Sequence, residues 1–385
     1  MPTLTLTQAQ TELRDSVRAY ARGTLLPLGR ECDARRQALP ESAAWEINQR
    51  FGRAAIPKEY GGNGLDLVSV GIILEELAYA DLGCTDIIGG NTLGLTPILQ
   101  FGDYGLRERF GKIIRDDVDG RVFFAVAGTE PESGSDVLSA ARTGTGLNTW
   151  AERDESGWVV RGVKRFISNG PIASYVVTLC ASREGPVLLV VDTTSEGFRV
   201  GAEPAKLGHR TSRVGELHFD DVFVPADHLV GVAGQGAHIF TSTLALARPG
   251  VGISSAGVAK RAYDIAFEYC RNRVQNGRAL VEHQAVQVRL ARLATRVAAV
   301  RAFAYTAFLQ AEDTDRLDDK LAIMVKTYCS EQATEVVSEA MQLMGGNGYM
   351  EEFPMEKLYR DVRLNQLYEG ENNYLMILLG ELIAS

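Results

Sequence analysis

The stretch "QLYEGENN", residues 366–373, sets Glu369 directly before Gly370 and behind Leu364, Leu367 and Tyr368. The preceding run "LYRDVRLNQLYEG" also carries Leu358, Tyr359 and Val362. A carboxylate emerging from such surroundings loses water, its pKa rises, and it becomes a competent base near neutrality. The plain alternative is a helix end turned to solvent. A second stretch, "GTEPESGSD" at 128–136, mixes Thr, Ser, Gly and Pro. Its hydroxyls and free backbone N–H groups can hydrogen-bond a polar planar ring or a phosphate; otherwise it is a solvated loop. In a third, "KRFISNG" at 164–170, Phe166 lies between Arg165 and Ile167. It either packs in the core, as most phenylalanines do, or covers a flat ligand.

Several other chemistries are disfavoured. Five cysteines (Cys32, Cys84, Cys180, Cys270, Cys329) are scattered without a C-x-x-C pair, and five histidines are dispersed without H-E-x-x-H. Neither a disulfide framework nor a metal centre follows, and the cysteine pattern fits a reducing, cytoplasmic setting. No G-x-G-x-x-G follows a strand, no G-x-x-x-x-G-K-[ST] occurs, and no G-x-S-x-G elbow is present. A net charge of −9, from 40 basic and 49 acidic residues, argues against binding nucleic acid or an anionic membrane. The start, "MPTLTLTQAQTELRDSVRAYARG", is too polar for a signal peptide. No run approaches the roughly 18 apolar residues of a membrane span.

The 385-residue chain is long for one core and predicts two or three domains. It reads as three zones. Up to about residue 120 the pattern is helical: Val70, Ile73, Leu74, Leu77 and Ala78 form one amphipathic stripe in "SVGIILEELAYA". From there to Gly236, "GWVVRGVKRFISN", "YVVTLCAS", "VLLVVD" and "GELHFDDVFVP" read as successive strands without helices between them. That favours a mainly antiparallel sheet or barrel. Beyond Gly236 helical stripes return: Val258, Ala262, Ile265, Ala266 and Tyr269; Val286, Leu290, Leu293, Ala294 and Val297; and Ala333, Val336, Val337, Ala340, Met341 and Met344. Long amphipathic helices in succession suggest a bundle.

In this order, "YGGNGLD", "TEPESGSD", "KRFISNG", "KLGHRTS…ELHFDDVFVPADHLVG", "ARPGVGISSAGVAKRAYDIAFEY", "VEHQAVQVRLARLA" and "MQLMGGNGYMEEFPMEKLYRD…LYEG" span nearly the whole chain. Together they resemble the acyl-CoA dehydrogenase family of flavoenzymes. The resemblance implies an α+β fold: an N-terminal α-helical domain (1–121), a middle β-barrel or sheet domain (122–236) and a C-terminal four-helix bundle (237–385). It implies that a trans α,β double bond is introduced into an acyl thioester. Glu369 would take the α-proton while the β-hydride passes to N5 of FAD. The thioester carbonyl would be polarised by a flavin ribityl hydroxyl and the backbone N–H of Glu369. Some members carry the base just before the Arg of a segment matching "LALARPG"; here that position is Ala247.

The same resemblance places Val126, Gly128, Thr129 and Ser135 along the flavin and the thioester end, with Phe166 and Ser168 against the isoalloxazine. Arg273, Gln275, Asn276, Gln342 and Gly346 would reach the FAD of a neighbouring subunit, implying a homodimer or homotetramer. Gly89, Leu93, Tyr368 and Gly370 would join Ser135 around the substrate, with Arg248 near its carrier arm. Gly89 and Gly90 leave room for the acyl chain, and Asp86 either adds polarity there or is a solvated helix-end residue. No Arg occurs between Arg53 and Arg107, so a dicarboxylic substrate anchored from this segment is disfavoured. An electron-transfer flavoprotein is the implied electron acceptor.

Departures cluster on the cofactor side. Phe166 stands where Trp is usual, Asn276 where Phe is usual, and Glu371 and Asn373 replace a hydroxyl residue and a Gln. A carboxylate beside a diphosphate is repulsive by roughly 1 kcal/mol at high dielectric, so Glu371 must point away or the FAD pose differs. Alternatives are therefore an acyl-carrier-protein desaturase, a flavin monooxygenase of the same superfamily, which would typically lack the base, and a non-catalytic homologue without flavin.

Overall fold

The computed structural model describes residues 5–137, 146–314 and 317–384. The first zone folds as helices α1 (Gln8–Tyr20), α2 (Leu26–Ala34), α3 (Glu41–Phe51), α4 (Leu67–Ala80), α5 (Leu82–Phe101) and α6 (Tyr104–Asp116). Asp66, Asp81 and Asp103 each accept a backbone N–H at the start of α4, α5 and α6, satisfying donors that a helix cannot pair internally. The α4 stripe buries Ile73, Leu74, Leu77 and Ala78. Helix α5 is apolar on nearly every side and runs through the middle of the molecule.

The middle zone contains β1 (Phe124–Ala127), β2 (Trp150–Arg153), β3 (Gly157–Ser168), β4 (Tyr175–Cys180), β5 (Val187–Asp192), β6 (Phe198–Val200) and β7 (Val214–Pro225). They form two sheets, ordered β1-β4-β5 and β2-β3-β7-β6. Among the described residues no closed barrel is formed. Trp158, Val160, Ile167, Val176, Leu189 and Phe219 fill the core shared by the sheets. The expectation of antiparallel pairing holds except for β1 and β4, which are parallel. The chain between them passes through β2 and β3 of the other sheet, which supplies the long crossover that parallel pairing needs.

Three long helices follow: α7 (Gly236–Asn272), α8 (Gln284–Thr314) and α9 (Asp319–Met344), then α10 (Met355–Val362) and α11 (Asn372–Ala384). The stripes read from sequence meet in one cluster of Val258, Ala262, Ala266, Leu293, Val297, Ala333, Val336 and Ala340. A hairpin of β8 (Val274–Gln275) and β9 (Arg278–Ala279) joins α7 to α8 at the surface. Among the described residues no helix is long and apolar enough to cross a membrane.

Helix α5 is tied to the rest of its own zone and to the middle zone. Asn91 donates to Gly52 O (3.0 Å) and accepts from Phe124 N (2.9 Å). Gly94 lies so close to β1 that a Cβ there would come within 2.6 Å of the Phe124 side chain. Asn169, at the end of β3, donates to Ile87 O at 2.8 Å.

Candidate active site

Glu369 sits on a two-residue reversal. A short 3-10 turn (Arg363–Gln366) ends, Glu369 takes φ +57 and Gly370 φ +95, and α11 begins at Asn372. Left-handed backbone costs an L residue about 1 kcal/mol, and Gly370 removes that penalty at the second position. A Cβ on Gly370 would also come within 2.8 Å of Leu375. The Glu-Gly pair is thus the turn itself, and it aims Glu369 inward rather than to solvent.

Two cavities meet at this carboxylate. One, of about 380 Å³, runs between α4, α5, α7 and α8, with Leu93, Ala247, Pro249 and Phe308 in its walls. The other, of about 750 Å³, opens over the middle sheets. Asp86, Gly90, Leu93, Ser168, Tyr368 and Glu369 line both. Glu369 Oε2 is buried and has no hydrogen-bond partner among the described residues. Burial pushes the Glu369 pKa up to about 7; Arg248 and Lys326 oppose the rise, and Asp86 adds to it.

Beneath Glu369 lie the two cations. Arg248 is 3% exposed, its Nε lies 3.5 Å from Glu369 O, and it lines neither cavity. Lys326 is fully buried and donates from Nζ to Gly370 O and Asn372 Oδ1, each at 2.7 Å. Burial brings the Lys326 pKa down to about 7, and Glu369 resists that shift. Lys326 was not singled out from sequence. A signal existed: it falls on the apolar stripe of α9 with Ala322, Cys329, Ala333 and Val336.

All six middle-zone residues assigned by resemblance, Val126, Gly128, Thr129, Ser135, Phe166 and Ser168, line the larger cavity. Phe166 is not core. It occupies an irregularity in the β3–β7 register with φ +59, is 56% exposed, and Ile167 takes the core position instead. The 128–136 stretch is not a solvated loop throughout. Glu130 is buried, accepts from Asn148 N (2.7 Å), Thr149 N (2.9 Å) and Lys164 Nζ (2.8 Å), and Lys164 also donates to Gly128 O. This buried pair fixes the cavity wall to β3, and no periodicity in the sequence marked it. Ser135 Oγ accepts from Glu371 N at 2.9 Å, locking the loop to the start of α11.

The fit to a flavin rests on these groups. Among the described residues the hydroxyls of Thr129 and Ser168 have no hydrogen-bond partner. They share the cavity with the open face of Phe166. Polar atoms seeking partners beside an uncovered aromatic face suit a planar heterocycle.

Other assignments land elsewhere. The Glu371 carboxylate accepts from Tyr374 N (3.1 Å) and Asn373 Nδ2 (2.9 Å), so it caps α11 and turns away from the larger cavity. Of the two glycines read as making room, only Gly89 does so, with nothing within 4 Å of a would-be Cβ; Gly90 packs on Asn169. Asp86 is no solvated helix end: it is 6% exposed, in the second turn of α5. Arg273, Gln275, Asn276, Gln342 and Gly346 are exposed and line neither cavity. Within one chain they are not brought to Glu369.

Three family models match this chain: Acyl-CoA dehydrogenase, N-terminal domain (7–114), middle domain (125–222) and C-terminal domain (234–383). The chain is 31% identical to the probable acyl-CoA dehydrogenase FadE25 of Mycobacterium tuberculosis, over 97% of this chain and 95% of that one. It superposes on butyryl-CoA dehydrogenase from Megasphaera elsdenii with a TM-score of 0.92, at 29% identity, covering 100% of both chains. A chain in the structure of the electron transferring flavoprotein of Acidaminococcus fermentans gives a TM-score of 0.92, at 30% identity, covering 99% of both.

Proposed function

The chain belongs to the acyl-CoA dehydrogenase family of FAD-dependent oxidoreductases, and on that premise we propose that Glu369 is the base that starts the desaturation. The observation that carries this reading is a carboxylate oxygen without a partner, buried where two cavities meet. The smaller, apolar cavity takes the acyl chain and the larger one takes the flavin, so the α- and β-carbons lie at the junction.

Glu369 Oε2 removes the α-proton, and the electron pair of that C–H bond forms the new double bond. FAD, when bound, supplies the acceptor for the hydride that leaves the β-carbon. The N–H of Glu369 has no acceptor among the described residues, which leaves it to polarise the thioester carbonyl. Lys326 grips the peptide oxygen of Gly370 and so fixes the turn that aims both groups. Thr129, Ser135, Phe166 and Ser168 would hold the ring. Arg273, Gln275, Asn276, Gln342 and Gly346 are proposed to meet the cofactor of a second copy in a homodimer or homotetramer. Electrons would leave to an electron-transfer flavoprotein, and a cytoplasmic setting fits the five buried, unpaired cysteines.

The reading of a flavin-free binding homologue rested above all on Glu371, whose carboxylate is engaged in capping α11. The purified protein is expected to be yellow and to bleach when an acyl-CoA that it accepts is added without oxygen. A colourless protein that takes up no FAD would refute the proposal.

A further inference from the structure

Among the described residues, Asp86 is the one acidic side chain besides Glu369 that lines both cavities. A charged residue in the second turn of an otherwise apolar helix is held there by specific partners. Its Oδ2 meets His209 Nδ1 at 2.8 Å and accepts from Ser212 Oγ at 2.9 Å. The other ring nitrogen of His209, Nε2, faces Asp361 O at 3.0 Å, and its backbone N–H donates to Asp361 Oδ1. A backbone carbonyl only accepts, so Nε2 carries a proton. With Nδ1 facing a carboxylate, the ring is satisfied on both sides as an imidazolium. His209 is fully buried and held at φ +48, which fixes the ring in place.

This support engages only one oxygen of Asp86. Among the described residues Oδ1 has no hydrogen-bond partner, although the side chain is 4% exposed. An unpartnered carboxylate oxygen that reaches a cavity takes its donor from whatever occupies that cavity, a ligand or water. Oδ1 is also not sealed within protein, since Asp86 forms part of the wall where the cavities join. His209 and Ser212 hold Oδ2, which leaves Oδ1 as an oriented acceptor at the junction of the cavities.

We propose that the acyl group this enzyme takes carries an O–H or N–H donor on the α-carbon or on the γ-carbon beside the reacting pair, received by Asp86 Oδ1. The inference rests on the dehydrogenase reading and narrows it: the substrate is a hydroxy- or aminoacyl thioester rather than a plain alkanoyl one. The smaller cavity is mostly apolar, with Thr92, Thr96 and Gln100 among its uncharged polar lining, and Asp86 stands at its junction with the larger one, so the donor it receives lies near the thioester end.

The test compares thioesters that differ by one group. 4-Hydroxybutanoyl- and 4-aminobutanoyl-CoA are set against pentanoyl-CoA, and 2-hydroxybutanoyl- and 2-aminobutanoyl-CoA against 2-methylbutanoyl-CoA. Affinity is read by titration calorimetry on FAD-loaded Glu369→Gln protein, and kcat/KM by flavin reduction in the wild type. A hydrogen bond to a charged group predicts that at least one donor-bearing member binds about 10-fold to 100-fold tighter than its methyl counterpart. Asp86→Asn turns an N–H toward the same place and should bring that preference to within about twofold. Equal or tighter binding of every methyl counterpart overturns the inference, as does a preference that survives Asp86→Asn. Should the variant not fold, the wild-type ranking decides. Loss of the dehydrogenase reading would look different: no thioester of the panel would bleach the wild-type flavin, whatever the affinity ranking. The hydroxyl and amine arms identify which donor is used.

Discussion

Replacing Glu369 by Gln removes a buried charge while keeping the shape of the side chain, and its effect on stability follows from the site. The Glu369 pKa lies near 7 instead of 4.5. A carboxyl whose folded pKa is raised favours the fold while it is protonated, and that contribution is lost as pH climbs through the folded value. At about 1.36 kcal/mol per pH unit, the full difference is about 3 kcal/mol at pH 8. Water in the cavities screens the carboxylate, and Arg248 and Lys326 lose their counter-charge in the variant, so about 2 kcal/mol is the working figure. Thermal melting of both proteins from pH 5 to pH 8.5 checks it. The Gln variant should melt close to the wild type at pH 5 and a few degrees above it at pH 8. In the wild type, kcat/KM for flavin reduction should rise about tenfold per pH unit below 7 and then level off. A pH-independent gap in melting temperature, or a rate profile bending near 4.5, would mean that Glu369 is solvated and the argument for it as base fails.

Glu371→Ala removes the cap of α11 and should lower stability by about 1 kcal/mol with FAD affinity unchanged, as measured by melting and by flavin titration; weaker or tighter FAD binding would place Glu371 at the cofactor after all. Lys164→Met strands the Glu130 carboxylate in the core and should destabilise by about 3–5 kcal/mol, read by denaturant unfolding, with the flavin lost first as the cavity wall loosens. Lys326→Met deletes two hydrogen bonds beneath the Glu369 turn and the nearby positive charge. It should slow flavin reduction at least about 10-fold and move the rising limb of the pH–rate profile to higher pH, a shift that a purely structural role would not produce.

Much of this was legible in the sequence because periodicity reports burial. The α4, α7, α8 and α9 stripes and the strand runs each mark which face turns inward, and the packing follows. Glu369 was legible as a residue type in apolar company, although its inward aim depends on consecutive left-handed positions that no pattern displays. The closed barrel was not reached because short β-branched runs say nothing about whether the outer strands pair. Asp86, Lys164 and Lys326 were harder for one common reason. Each is a charged residue whose partner lies far along the chain, at His209, Glu130 and Gly370 respectively. Asp86 could be read as adding polarity beside the acyl chain, and Lys326 stands where a helical stripe calls for an apolar side chain, but neither position displays its partner. Glu371 takes the first of the two outcomes expected for it: its carboxylate points away, turned back onto its own helix.

The six residues shared by the two cavities have a thermodynamic consequence. The same side chains face both compartments along that seam, so a shift of any of them by an occupant of one is felt in the other. Affinities in the two compartments are therefore linked, and linkage is reciprocal. Whatever factor a bound ring adds to acyl-thioester affinity, the thioester adds to retention of the ring.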